Sequence, residues 1–404
     1  MNRAAAAVAL ATCILLGCWS LAHHLAAQHK LLVDTPVYER YGDAVVQGKV
    51  PYRDFRPEYP PLSLPTFILP SLVAGRHHKA DYTRWFDREM AVCAILVLLG
   101  VALITTRPTA LGLVAVAPVL LGPVVLTRFD YWPTALAVLA LAAFLRNRLT
   151  AAAILLGAAI SAKLWPAAIG PVLFLHLWRT RGARVAAAFA GGVVAVTAAF
   201  FLPFAIIAPE GVRYSLHRQF GRPIQIESLG GVVLIWIHRF FHTTINVKSS
   251  FGSQNIDGFG YHAMTIATTV LMVAALLLVW WKSRNVVVGS AAAVAAFLAF
   301  GKVFSPQFMV WLVAFVPLVP GAALAILLVA GLLLTQAWFP RHYWDLTNSL
   351  ALRESAEVLL RDLIVVALLV LLTLRARRPD PAPLPASAGA AAVEPRPEPE
   401  RPAA

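Results

Sequence analysis

An all-α, polytopic membrane protein is the fold class this sequence predicts, on the strength of its composition, its apolar runs and the placement of its cations. Of its 404 residues, 59% are hydrophobic and 13% charged, against ~25% charged in an average soluble domain. Apolar runs of near bilayer-spanning length recur along most of the chain. The net charge of +14 would suit nucleic acid if it were gathered on one face. Instead Arg146, Arg148, Arg179, Arg181, Arg184, Lys282, Arg284, Arg375, Arg377 and Arg378 lie in short connections between apolar runs. That is the positive-inside pattern of a membrane topology, so no nucleic-acid partner is expected. Cys13, Cys18 and Cys93 all fall in apolar segments, which excludes a disulfide framework.

The elements follow in order. Residues 4–27, preceded by Arg3, form a first span, a signal anchor rather than a cleaved leader because the run is long and further spans follow. The N-terminus is then cytoplasmic and the loop from Gln28 lies outside. Residues 61–75 are apolar but short, and are interrupted by Pro61, Pro65 and Pro70. A crossing there would invert every basic cluster downstream, so the segment is read as interfacial or re-entrant and 28–87 as outside. Further spans are expected at 88–106, 110–127, 132–146, 149–163, 165–178, 185–208, 262–281, 286–301, 306–320, 322–339 and 356–374. The pair 149–163 and 165–178 is a hairpin across Lys163 and Pro166, since a single span would put RTRGAR outside. The total is about twelve transmembrane helices with both termini inside, and large outer loops carry the interfacial or re-entrant segments. Residues 1–378 make one integral membrane domain. Residues 379–404, rich in Pro and Ala, are expected to be a disordered cytoplasmic tail.

This topology gathers the unusual polar residues at one face. Asp34, Glu58, Arg128, Asp130, Lys163, the loop 209–260, Lys302, Gln307, Arg341 and His342 all fall at outer ends of spans. Ionisable groups near a membrane are unfavourable unless they pair or line a wet cavity, so their clustering points to an outward polar cavity. The stretch from Asp34 to Leu62 is dense in Tyr, Asp, Glu, Arg and Pro, in a chain otherwise dominated by Ala, Leu and Val. Asp34 there is either a base or the cap of a helix begun by Thr35 and Pro36. Glu58 and Tyr59 precede Pro60 and Pro61, which hold the chain extended; Glu58 is a second candidate base, a ligand to substrate hydroxyls, or the partner of Arg53 or Arg56 in a loop salt bridge. Asp130 supports the site or caps the next helix.

The loop 209–260 carries Arg213, His217, Arg218, Arg222, Gln225 and Glu227, groups suited to a phosphate or a sugar, or to lipid headgroups. Its run WIHRFFH at 236–242 reads as interfacial, as do His23 and His24. Lys163 and Lys302 each end an apolar run shortly before a proline. A broken helix beside a cation is tolerated where it lines protein or a wet cavity, and a lipid phosphate fits between such groups with Arg222 as a third cation. The alternative is a pair of snorkelling lysines. No HExxH or clustered Asp-x-Asp pattern is present, so no metal is expected, and the absence of phosphate-loop motifs disfavours direct use of a nucleotide.

EYPPL following GKVPYRDF, KLWP at 163–166, RPIQIES at 222–228 and KVFSPQFMVWL at 302–312 together resemble glycosyltransferase family 87. The resemblance runs from Asp34 to about Leu312. It implies a GT-C-like membrane enzyme similar to polyprenol-phosphate-mannose-dependent alpha-mannosyltransferases. The implied donor is a polyprenyl-phosphate sugar, with no other cofactor, and the acceptor a lipid or glycan. The implied site lies on the extracytoplasmic face of the cell membrane, beside membrane lipids. Asp34 matches the family's carboxylate of the first outer loop, and the residues themselves offer Glu58, Tyr59, Lys163, Arg222, Gln225, Glu227, Lys302 and Gln307 as the substrate-binding set. Some relatives carry histidines just beyond the SP of the SPQ segment, where this chain has Gln307 and Phe308. A secondary transporter or flippase is the competing class. Transporters show internal repeats and polar groups near the midplane, whereas no repeat is evident here and the polar groups lie at one rim.

Overall fold

The computed structural model describes residues 3–26, 32–74 and 79–377; the expected tail at 379–404 lies outside the described residues. Apart from one hairpin and two isolated bridges, the regular structure of the described chain is helical. It opens with α1 (Arg3–Ala26). α2 (Thr35–Val46) and α3 (Leu64–Ala74) then pack against each other and against α4 (Lys79–Ile104). The polar stretch 34–62 thus holds a helix, opened by Pro36 in its first turn. α3 has 11 residues, roughly 16 Å of rise, too little to cross a bilayer alone.

The central part follows as α5 (Pro108–Leu121), α6 (Tyr131–Leu145), α7 (Leu149–Ala162), α8 (Gly170–Arg181) and α9 (Ala183–Ile207). The region 209–260, expected as one outer loop, is instead α10 (Pro209–Phe220), α11 (Leu229–Phe241) and an antiparallel hairpin of β1 (Ile245–Ser250) and β2 (Ser253–Gly258). Local chemistry accounts for both helices. Pro209 starts α10, while the Ser228 hydroxyl caps α11 by accepting from the Gly231 amide. The chain ends with α12 (Tyr261–Lys282), α13 (Val286–Ala299), α14 (Met309–Phe315), α15 (Ala322–Trp338), α16 (Tyr343–Ser349) and α17 (Leu352–Ala376).

Among the described residues, four helical segments are long and apolar enough to cross a membrane: Arg3–Ala26, Pro108–Leu126, Ala183–Ile207 and Tyr261–Lys282. The bent pair Ala322–Trp338 and Tyr343–Ser349 makes a fifth if it is one span. That is fewer than the dozen expected, and the reason is physical. α6, α7 and α13 have 15, 14 and 14 residues, which is roughly 21–22 Å of helix against a hydrocarbon core of roughly 30 Å. Their apolar runs stop at Asp130, Lys163 and Lys302. The short helices are also the buried ones: every residue of α14 and nearly every residue of α13 is inaccessible. Helices apolar on all sides belong inside a bundle, where they can end at an internal polar space.

Close approach between these helices depends on small residues. A Cβ on Gly157 of α7 would lie 2.8 Å from the Val193 carbonyl oxygen of α9, so a larger residue would push the two helices apart. α13 lies against α17 through an alanine-rich surface.

Candidate functional site

The breaks at the ends of the short helices converge on one polar cavity. Its lining includes Asp34, Tyr38, Glu58, Tyr59, Arg128, Lys163, Arg222, Gln225, Glu227, Ser305, Gln307 and Tyr343. Asp34 and the whole expected substrate-binding set except Lys302 line it, while Asp130, Arg341 and His342 do not. Groups separated by more than 270 positions are thereby brought together, because helix ends rather than helix faces supply them.

Asp34 stands at the N-terminal edge of α2, yet its side chain makes no cap hydrogen bond. The carboxylate instead pairs with Arg128 and accepts from the Tyr38 hydroxyl at 3.4 Å. The capping alternative therefore fails, and Asp34 turns toward the chain break before α6. Arg128 was visible in the sequence as an outer cation, but nothing there linked it to Asp34 across 94 positions. A wall of rings backs the pair. Tyr38 stacks on Phe67 with centroids 4.4 Å apart, and Tyr59 meets Phe129 edge-on at 5.0 Å. Burial, first of all causes, holds the Tyr38 and Tyr59 phenols well above their ordinary range, so neither is a base near neutral pH.

The other carboxylates at the site are engaged. Glu58 pairs with Arg218 of α10 at 2.7 Å, rather than with Arg53 or Arg56, and its carbonyl accepts from Gln219 at 2.7 Å. This contact ties the first polar segment to the second. Asp130 is not a helix cap: it accepts from Lys163 Nζ at 2.6 Å and from the Trp311 indole at 2.8 Å. Lys163 lies 4.8 Å from the ring centres of both Phe129 and Phe308, a cage that holds the ammonium at the cavity wall. Glu227 accepts from the Gln225 amide, and burial pushes its carboxyl up to about 8 against the pull of Arg361, Arg128 and Arg222. Burial thus favours its neutral form, which can donate a hydrogen bond. By contrast the Asp34 side chain is 34% exposed and that of Asp130 only 2%. Asp34 is the more accessible acceptor.

Arg222 and Gln225 belong to the extended link between α10 and α11. The link is fixed by backbone hydrogen bonds from Gln225 to the Lys302 carbonyl at 2.9 Å and from Ile226 to the Gln254 carbonyl at 3.1 Å. Arg222 donates to the Phe251 carbonyl at the hairpin turn, at 3.1 Å, and Gln225 donates to the Ser305 hydroxyl at 3.0 Å. Gln307 follows Pro306, which breaks the chain before α14.

Lys302 is placed differently. Its ammonium donates to the Phe220 carbonyl at 2.6 Å, and the residue lines a second, larger and mainly apolar cavity of about 510 Å³. Met272, Leu276, Trp280, Phe297 and Trp311 form much of that wall. Lys163, Gln219, Arg222 and Phe308 border both cavities, so the two spaces adjoin through a cationic rim.

Among the described residues, His342, Asp345 and Glu354 bring ligating atoms within 4.8 Å of one another, with His342 Nδ1 2.9 Å from Asp345 Oδ2. None of the three lines the polar cavity. Sequence reasoning also passed over Arg361 and Asp362, which lie behind the cavity within α17 and are 0% exposed. Their signal was present in the sequence as two charges inside an apolar run.

In comparison with protein families, the model of glycosyltransferase family 87 matches residues 58–306. The matched stretch contains Glu58, Arg128, Asp130, Lys163, Arg222, Gln225, Glu227 and Lys302, while Asp34 precedes it. No curated protein matches the chain.

Proposed function

This chain belongs to glycosyltransferase family 87, a membrane glycosyltransferase by that membership, and from this premise we propose that it moves a sugar from a polyprenyl-phosphate donor to a hydroxyl of a lipid or glycan acceptor. The observation that carries the donor assignment is the junction of the two cavities. A polar space rich in hydrogen-bonding groups adjoins an apolar space, with Lys163 and Arg222 on the shared border. Sugar, phosphate and prenyl chain need those three environments in that order.

Asp34 is the base of the reaction. Its carboxylate takes the proton of the acceptor hydroxyl as that oxygen attacks the anomeric carbon. The bond from this carbon to the phosphate oxygen breaks, and polyprenyl phosphate leaves with the electron pair. Arg128 holds the carboxylate in place. Lys163 and Arg222 stabilise the charge that grows on the leaving phosphate. Glu58, Tyr59, Gln225, Glu227 and Gln307 offer hydrogen bonds to sugar hydroxyls. Mannose is the sugar that the family resemblance favours, and the basic connections favour an extracytoplasmic site in the cell membrane.

Purified protein incubated with labelled polyprenyl-phosphate mannose is expected to label an acceptor, while the corresponding nucleotide sugar is not. Transfer from the nucleotide sugar alone would overturn the donor assignment. Arg222→Gln is expected to raise the apparent KM for the lipid donor roughly 10–100-fold, the equivalent of one charge-assisted hydrogen bond, with little change for the acceptor. Lys302→Met should have the smaller effect, because its ammonium is committed to the Phe220 carbonyl. An unchanged donor KM in Arg222→Gln would place the phosphate elsewhere.

Sidedness has its own test. In a background lacking Cys13, Cys18 and Cys93, a cysteine introduced at Lys49 is expected to react with an impermeant reagent in intact cells, and one at Arg181 to stay protected. The reverse result would invert the topology and move the site to the cytoplasmic side.

A further inference from the structure

Arg361 and Asp362 neither line the cavity nor take part in the transfer as described, yet both are 0% exposed inside α17. Arg361 Nε donates to Asp362 Oδ1 at 2.9 Å, which closes the charge pair locally. The rest of the guanidinium reaches outward. Nη2 donates to the Glu227 carbonyl oxygen, and the group lies 4.0 Å from the Phe304 ring centre and 5.7 Å from that of Trp338. Each partner is a lining residue or the chain neighbour of one: Glu227 itself, Phe304 before Ser305, and Trp338 before Phe339. One side chain thereby touches three separate stretches of cavity wall.

Stability alone is a poor reason for such a group. Buried ion pairs are often replaced by apolar residues of similar volume with no loss, since desolvation offsets their attraction. We propose that Arg361 is a positioning residue for the transfer: it fixes the wall formed by residues 227, 304–305 and 338–339, and so holds the Glu227 side chain against the cavity. This assignment rests on the glycosyltransferase reading for its purpose, but its geometry can be tested without turnover.

The charges facing Glu227 come from several elements. Arg361 of α17 attracts its carboxylate most, followed by Arg128 before α6 and Arg222 after α10, while Asp362 opposes them. The Tyr343 phenol of α16 lines the same space, and the Gln225 amide donates to Oε2. The carboxyl titrates from an ordinary value of 4.5 and reaches about 8 in the folded protein. Between those values the folded state keeps a proton that the unfolded chain has lost, so stability falls as pH rises through that window and levels off above it. Removing Arg361 raises the folded value further and extends the fall upward by about 1 pH unit or more.

The experiment is thermal melting of the purified full-length chain in detergent from pH 5 to 10. In the unmodified protein the melting temperature should decline and level off near pH 8. In Arg361→Met the decline should continue about one unit higher, and Arg361→Lys, which keeps the charge, should restore the original profile. On an Asp362→Asn background, which removes the carboxylate paired directly with Arg361, Glu227→Gln should abolish the difference that Arg361→Met makes to the profile. A decline in R361M/D362N that ends where that of D362N does, or one that is as long in R361M/D362N/E227Q, would overturn the proposal. Should R361M not fold, Arg361→Gln is read in the same way. An enzyme inactive on lipid-phosphate donors would sink the donor assignment and leave this melting result standing.

Discussion

Asp34→Asn is expected to leave the protein folded and to lower turnover about 10²–10⁴-fold, equivalent to about 3–5 kcal/mol of transition-state stabilisation. The variant loses stability because buried Arg128 loses its counter-charge, but folding should survive because the Asp34 side chain caps no helix, stays partly exposed and as asparagine keeps an oxygen for Arg128. What it removes is the basic lone pair. The other carboxylates are poor substitutes: Glu58 is held by Arg218, Asp130 by Lys163 and Trp311, and burial raises Glu227 toward its neutral form. Glu58→Gln should cost less than Asp34→Asn if Glu58 only orients sugar. Single-turnover assays under saturating donor would measure both. Near-normal turnover in Asp34→Asn would remove it from the reaction and leave Glu58 as the next base.

The site was legible in the sequence to the extent that unusual residues mark their own positions. Lys163, Arg222, Gln225, Glu227 and Gln307 are polar groups at the ends of apolar runs, and the need to solvate or pair them implied a common cavity. Partners were not legible. Asp130 and Lys163 are 33 positions apart and Asp34 and Arg128 are 94 apart, and no local pattern encodes such pairings. Asp34 and Asp130 both look like caps because each precedes a helix, and only the fold shows their carboxylates turned away from the helix amides. Lys302 stands in the adjoining cavity for a related reason. Its sequence position matches that of Lys163, but its ammonium is drawn to the free carbonyl at the end of α10, a helix concealed in what read as a loop. The fold class followed from composition. The number of crossings did not, because an apolar run of 14 residues looks alike whether it crosses a bilayer or ends at a buried polar space.

Lys163 and Asp130 offer the second large effect, through stability and function at once. Each is buried, and each is the other's main counter-charge. Lys163→Met leaves the Asp130 carboxylate with the Trp311 indole alone, while Asp130→Asn leaves a caged ammonium without its anion. Either single change is expected to destabilise the protein by about 3–5 kcal/mol, the usual result of stranding one member of a buried pair. Lys163→Met combined with Asp130→Asn removes both charges and should recover much of that loss, a coupling that a double-mutant cycle in detergent unfolding would measure. The donor separates the two roles. If Lys163 also neutralises the leaving phosphate, the double variant should regain stability yet still show a donor KM raised roughly 10–100-fold. Additive single effects would mean that the pair is not coupled. A double variant with both stability and donor KM restored would make Lys163 structural and leave Arg222 to hold the phosphate.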